Sequence, residues 1–196
     1  MYRIFFKRIF DLILAMISLV VFLPIFILVC LFIKLDSKGS IFFRQTRIGR
    51  EKKEFTLLKF RSMVVDTPEE PTYMLRNAES YITSVGKVLR KTSLDELPQL
   101  LNIIAGHMSV IGPRPVVPKE HELIVKRDKQ GVYAVRPGLT GWAQINGRDE
   151  VLIDEKVKYD KEYVEQLSFW FDLKCILKTI PLILTGDGIS EGKRGG

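Results

Sequence analysis

LILAMISLVVFLPIFILVCLFI, residues 12–33, carries no charged side chain, and its only interruptions are Ser18 and Pro24. About 20 apolar residues in a helix cross the hydrocarbon core of a bilayer. This run therefore makes a membrane segment the starting point of the fold. No small-x-small cleavage site follows it, and the chain leaves through LFIKLDSKG, which argues against a cleaved signal peptide. Arg3, Lys7 and Arg8 precede the run, while Lys34, Lys38, Arg44, Arg47 and Arg50 follow it. Basic flanks are retained in the cytoplasm. Both ends thus favour the same side, as in a segment that enters and returns. Pro24 removes a backbone donor near the middle and can bend a helix there. The competing reading is a straight or mildly kinked spanning helix, because a kink exposed to lipid is costly. Lys7 and Arg8 stand four and three residues before Asp11 and can offset its charge. KRIFD reads as an interfacial anchor.

The 196 residues allow one domain with a core and an appendage. A net charge of +7 coexists with 46% hydrophobic residues, a combination suited to a membrane surface, a nucleic acid or a phosphorylated substrate. No nucleic-acid-binding motif accompanies the charge, and nucleic acid is not expected as a partner. Cys30 and Cys175 provide neither a disulfide framework nor metal-ligand spacing, which fits a reducing compartment.

Beyond the apolar run, SKGSIFFRQTRIG and KEFTLLKFRSM are short apolar-aromatic stretches separated by a charged patch and predict a β-hairpin. DTPEEPT, residues 66–72, is a turn-rich loop. SYITSVGKVLRK places Tyr81, Ile82, Val85, Val88 and Leu89 at helical spacing, an amphipathic helix whose apolar face meets either a core or lipid. FWFDLKCILKTIPLIL predicts another helix, with Lys174 and Lys178 four apart. Core packing competes there with the preferred interfacial reading. His107 and His121 are isolated and carry no ligand spacing.

KTSLDELPQL, residues 91–100, sets Asp95 beside Glu96. Ser93 with Glu96 matches a capping box, but Pro98 would then fall where a backbone donor is needed. If Asp95 caps instead, Pro98 lies in the first turn, and PQLLNIIAG forms a short helix ending at Gly106. A helix N-terminus favours carboxylate and phosphate alike. Arg90 lies upstream, and SVIGPRPVVP fixes Arg114 between two prolines as a bidentate phosphate donor. Carboxylates beside basic groups make a candidate phosphoryl-transfer site in which a carboxylate is the nucleophile, against the plainer reading of a capped helix with surface arginines. RPGLTGWAQINGR, residues 136–148, adds three glycines and polar side chains around Trp142. Such a loop can wrap a nucleotide diphosphate without matching a P-loop or dinucleotide fingerprint.

KRIFD before an apolar run, KFRSM, LRKTSLDELPQLLNI, MSVIGPRP, RPGLTGWAQINGR and YDKEYVEQLSFWFDLK occur in the order seen in the bacterial sugar transferase family. From about residue 3 to residue 184 the chain resembles the small monotopic phosphoglycosyl transferases. The resemblance implies transfer of a sugar 1-phosphate from a UDP-sugar to undecaprenyl phosphate, with release of UMP, at the cytoplasmic face of the bacterial inner membrane. It implies Asp95 as nucleophile and as the protein contact for Mg²⁺, with Glu96 handling a proton for the acceptor. Lys59, Arg90, Arg114, Arg136 and Arg148 match motif positions for phosphate contacts, and Gln144 and Asp160 are further site positions. N-acetylated amino sugars, with or without a 6-deoxy group, are the donor class the resemblance suggests. Family members hold the N-terminal helix as a re-entrant hairpin broken at a proline matched by Pro24. Many have serine before it, where this chain has Leu23.

The expected architecture is mainly α with a small β-hairpin, an α+β arrangement. A re-entrant membrane anchor occupies 1–38, a compact cytoplasmic domain with interfacial amphipathic helices occupies 39–190, and a disordered glycine-rich tail occupies 191–196. A different class, a non-catalytic membrane-anchored module that binds anionic lipid with its basic face, would need many interchangeable lysines and few special glycines.

Overall fold

The structure, a computed structural model, describes residues 2–68, 77–147 and 152–185. Arg148, the tail 191–196 and residues 69–72 of the acidic loop lie outside the described residues.

A short π-helical turn, Tyr2–Phe6, leads into α1, Lys7–Asp36. Two helical arms separated by a break were expected; instead the backbone stays helical through Pro24. Both flanks of α1 dock on the same body. Near its start, Ala15 is fully buried in the main core cluster, and Arg8 donates to the carbonyls of Ile103 and Ile104. Near its end, Val29 and Ile33 pack with Phe60 and Leu89, and Asp36 Oδ2 accepts from the Val85 amide at 3.1 Å. Between these flanks Val20–Ile25 are all exposed. Six residues exceed one helical turn, so no face of α1 meets the body there. In all, only 11% of its most apolar window is buried, unlike the core helix of a water-soluble domain.

Within KRIFD, Lys7 and Asp11 are buried in the protein while Ile9 between them is exposed. Lys7 Nζ lies 3.0 Å from Asp11 Oδ1 and 2.9 Å from Asp172 Oδ2. Asp11 also accepts from Ser109 Oγ and the Val110 amide, and Asp172 from the hydroxyls of Tyr2 and Tyr163. Lys7 and Asp11 pair as expected, but Arg8 turns away to α3, and burial is by protein. One ammonium stands between two carboxylates, and the hydroxyl and amide donors supply the remaining hydrogen bonds that buried charges require.

The hairpin forms as expected from β1, Phe42–Ile48, and β2, Glu54–Phe60, antiparallel with Phe42 opposite Phe60. The helix over SYITSVGKVLRK is shorter than its periodicity suggested. After a 3₁₀ turn at Ala78–Tyr81, α2 spans Ser84–Lys91 and is capped by Thr83 Oγ1, which accepts from the Gly86 amide. Its apolar face meets core, since Leu89 is buried against α1 and Phe60. The succeeding elements are α3, Gln99–Ile104; β3, Ser109–Ile111; α4, His121–Lys129; β4, Gly138–Thr140; α5, Trp142–Ile145; α6, Ile153–Gln166; and α7, Phe169–Thr185. β3 and β4 form a second, parallel pair that sequence patterning did not reveal. Three residues per strand are too few to show alternation. The core gathers Leu100, Ile103, Met108, Ile111, Tyr163 and Phe171. Toward it α7 turns Phe171, Asp172 and Cys175, leaving Trp170, Leu177 and Ile180 exposed. His107 and His121 are exposed, the former stacked on Phe55.

Candidate active site

Asp95 and Glu96 lie in a 3₁₀ turn, Leu94–Glu96, introduced by Ser93 in the left-handed region at φ 56°. Pro98 precedes α3, and neither Ser93 nor Asp95 caps it with a side chain. Both capping readings are therefore corrected: main-chain bonds from Glu96 N to Ser93 O and from Leu97 N to Leu94 O form the turn. Gly106, at φ 90°, ends the helix as expected.

Asn102 fixes this turn against the hairpin. Its Nδ2 donates to Thr56 O at 2.8 Å, and its Oδ1 accepts from Leu58 N at 2.9 Å. One side chain thus substitutes for a neighbouring strand along β2 and brings α3 beside Lys59. Lys59 Nζ reaches Glu96 Oε1 at 2.7 Å and Asp95 Oδ2 at 3.6 Å, and Arg114 Nη2 reaches the same Glu96 oxygen at 3.1 Å.

The two neighbouring carboxyls consequently differ in proton affinity. Burial pushes Asp95 above its ordinary value; Lys59 opposes that shift, Glu96 adds to it, and Arg90 and Arg114 oppose it further. Burial also acts to raise Glu96, but the charges of Lys59 and Arg114 and their hydrogen bonds overcome it, bringing the group down to about 2. Glu96 is thus a fixed anion between two cations, and Asp95 is the more basic carboxylate.

Arg114 belongs to a loop held at four consecutive carbonyls. Pro113 O accepts from Gly138 N, Arg114 O from Arg127 Nη1, Pro115 O from Arg47 Nη1 and Val116 O from Ile48 N. Arg127 is 2% exposed, and its Nε and Nη2 grip Asp160 Oδ2 at 2.8 and 2.6 Å. Asp160 therefore acts behind the loop, orienting the arginine that holds Arg114. The glycines of RPGLTGW serve the same loop. A Cβ at Gly138 would stand 2.1 Å from Gly112 N, and one at Gly141 would stand 2.1 Å from Gly112 O. Close backbone approach is required as expected, but the partner is protein backbone.

Asp95, Glu96, Lys59 and Arg114 come together, with Arg90 close enough to act electrostatically on Asp95. Arg136 does not join them: its Nε donates to Gly106 O, at the opposite end of α3. Gln144 Nε2 is spent on Leu139 O at 3.3 Å, while Oε1 is buried with no hydrogen-bond partner among the described residues. Arg148 lies outside the described residues. Arg127 and Asn102 were missed. Leu123 and Arg127, four apart on the buried face of α4, were the available signal, obscured by Lys126, Asp128 and Lys129 around them.

The family model for bacterial sugar transferases matches residues 2–186. The chain belongs to that family. It is 42% identical to the exopolysaccharide production protein ExoY of Rhizobium meliloti (strain 1021), across 93% of this chain and 87% of that protein. It is 39% identical to the UDP-glucose:undecaprenyl-phosphate glucose-1-phosphate transferase of Escherichia coli (strain K12), across 89% of this chain and 39% of that one. Identity is 35% to the UDP-N-acetylgalactosamine-undecaprenyl-phosphate N-acetylgalactosaminephosphotransferase of Aeromonas hydrophila, across 94% of this chain and 45% of the relative. The chain thus spans most of ExoY and less than half of the other two. This bacterial sugar transferase is a phosphoglycosyl transferase, which sets aside the non-catalytic lipid-binding module.

Proposed function

We propose that this phosphoglycosyl transferase moves a sugar 1-phosphate from a UDP-sugar to undecaprenyl phosphate through a covalent intermediate on Asp95. The observation that carries the reading is geometric: Lys59 and Arg114 both grip Glu96 Oε1, at 2.7 and 3.1 Å, while buried Asp95 is approached by Lys59 at 3.6 Å, so burial raises Asp95 and the two cations hold Glu96 down. Asp95 is then the better nucleophile. An Asp95 carboxylate oxygen attacks the β-phosphorus, a P–O bond forms, the bond to the bridging oxygen breaks, and UMP departs with that electron pair. A phosphate oxygen of the lipid then attacks the same phosphorus and expels the Asp95 carboxylate, giving undecaprenyl-diphospho-sugar. Lys59, Arg90 and Arg114 would bind the phosphates, with Arg114 preset by its loop. As the donor draws Lys59 and Arg114 onto its phosphates, Glu96 loses the charges that hold its pKa low and gains the proton affinity to take a proton from the acceptor.

Among the described residues no cluster of three or more His, Cys, Asp or Glu side chains forms a metal cage. Mg²⁺ fits here nonetheless, because it is commonly held by one or two carboxylates together with substrate phosphates and water. Asp95 would contact it, and the ion would neutralise charge on the diphosphate.

The membrane reading is a re-entrant anchor with the site on the cytoplasmic face. It is supported by the docking of both flanks of α1 on one body, by exposure all round at Val20–Ile25, and by basic residues on both sides of the run. The proposed donor sugar is an N-acetylated amino sugar, with or without a 6-deoxy group; N-acetylgalactosamine is named for one relative, and glucose and galactose, named for others, are the competitors. A panel of UDP-sugars assayed for UMP release with undecaprenyl phosphate selects among them. Donor labelled in the sugar should leave label on the protein when acceptor is absent, and Asp95→Asn should abolish both labelling and UMP release. Turnover by a folded Asp95→Asn preparation would reject the covalent route.

A further inference from the structure

Two ammonium groups of α7 share one ring. Lys174 Nζ lies 4.7 Å and Lys178 Nζ 5.2 Å from the centroid of Trp142, and Lys174 Nζ is 5.6 Å from that of Phe171. Each cation is attracted to the indole face, but the pair repels itself. No carboxylate among the described residues forms an ion pair with either lysine. The indole itself is fixed, since its Nε1 donates to Glu162 Oε2 at 2.9 Å and the ring packs on Phe171 at 4.8 Å. Two positive charges are thus gathered at a rigid point, and among the described residues neither is ion-paired, the one carboxylate bonded to the same indole being Glu162.

The surroundings select the kind of anion. Trp170, Lys174, Leu177 and Lys178 fall within about a third of the helix circumference, so the lysines border the exposed apolar side chains of α7. Trp170 is 75% exposed and Leu177 60%. Phe169 connects this stripe to the membrane helix, with ring centroids 6.1 Å from Tyr2 and 5.6 Å from Phe10. An apolar stripe continuous with a lipid-facing helix and edged by paired ammonium groups suits an amphiphile with one anionic head. A soluble anion would use the charges and leave the stripe in water.

We infer that Lys174 and Lys178, mounted on Trp142, bind the phosphate of an anionic phospholipid whose acyl chains lie along Trp170, Leu177 and Ile180. The inference needs only membrane association and is independent of the covalent transfer reading.

The test uses the full chain in phosphatidylcholine nanodiscs, with Trp170→Phe leaving Trp142 as the sole tryptophan and keeping an apolar ring on the stripe. Short-chain phosphatidylglycerol should change Trp142 emission saturably, whereas short-chain phosphatidylcholine should not. Lys174→Gln with Lys178→Gln should raise the midpoint about thirtyfold, each basic residue near an anionic surface contributing about fivefold. Lys178→Gln alone should raise it about fivefold and guards against misfolding of the pair, while arginine at both positions should hold it within about threefold. An unchanged midpoint in the glutamine variants would overturn the site. So would inorganic phosphate saturating the signal at the same concentration, which would mark a soluble-anion site. A short polyprenyl phosphate that saturates more tightly, with the glutamine pair raising the KM for the acceptor by the same factor, would overturn it in favour of an acceptor site.

Discussion

Arg127 Nη1 donates to the main-chain carbonyl of Arg114 at 2.8 Å, so a fully buried guanidinium sets the position of an exposed one. Asp160→Asn leaves Arg127 buried without its counter-ion, and unfolding should show a loss of about 3–5 kcal/mol. Replacing both, Arg127→Met with Asp160→Leu, should restore much of that stability because no orphan charge remains. Transfer activity should stay depressed about tenfold or more, since the Arg114 carbonyl has lost its donor and small displacements of a positioning group are costly. Recovery of activity together with stability would show that Arg127 serves the fold alone.

Glu96 gives a pH dependence of known sign. Its folded-state value is depressed from 4.5 to about 2. Its ion pairs therefore contribute stability that is fully present above pH 4.5 and is lost as pH falls through about 2, amounting to on the order of 3 kcal/mol. Denaturant titrations of the metal-free chain between these limits should show a steeper fall for the unsubstituted protein than for Glu96→Gln. Parallel curves would mean that Lys59 and Arg114 do not hold Glu96 in solution.

Gly86 tests two opposed effects. Alanine is favoured over glycine inside a helix by about 1 kcal/mol. At this position, however, a Cβ would stand 2.0 Å from the carbonyl oxygen of Ser62, a backbone atom unable to swing aside. Steric displacement should win, and Gly86→Ala should destabilise by about 1–3 kcal/mol. Stabilisation on chemical denaturation would show that α2 does not sit against Ser62 as described.

Single cysteines at positions 3 and 38, in a background without Cys30 and Cys175, address topology. Both should be protected from an impermeant thiol reagent in intact cells and labelled after permeabilisation. Labelling of one alone in intact cells would establish a spanning helix. Pro24→Ala restores a backbone donor at the exposed centre of α1 and should lower activity by favouring a straight helix.

The features legible in sequence were those with local chemistry. The apolar run, the β-hairpin, the helix stop at Gly106 and the pairing of Lys7 with Asp11 follow from composition, alternation, glycine conformation and i,i+4 spacing. Arg127 and Asn102 escaped because their partners, Asp160 and β2, are 33 and at least 44 residues away in sequence. Nothing in a local window distinguishes a buried arginine among charged neighbours from a solvated one. The motif at Arg136 likewise did not reveal that its Nε donates to the carbonyl of Gly106, beyond the far end of α3 from Asp95. The capping readings at Ser93 and Asp95 erred because a left-handed serine and a 3₁₀ turn satisfy the same main-chain donors without side-chain help.

The double attachment of α1 also bears on bilayer thickness. A helix crossing between two aqueous surfaces must match its apolar length to the lipid, by tilting or by deforming the bilayer when the lengths differ. In the proposed re-entrant arrangement, a helix fastened at both ends to one body has no second surface to reach. Its depth follows from the placement of Arg8 on α3 and of Asp36 on α2. Thicker and thinner bilayers should therefore support similar transfer rates, and lipid thickness should exert little force on where this transferase resides.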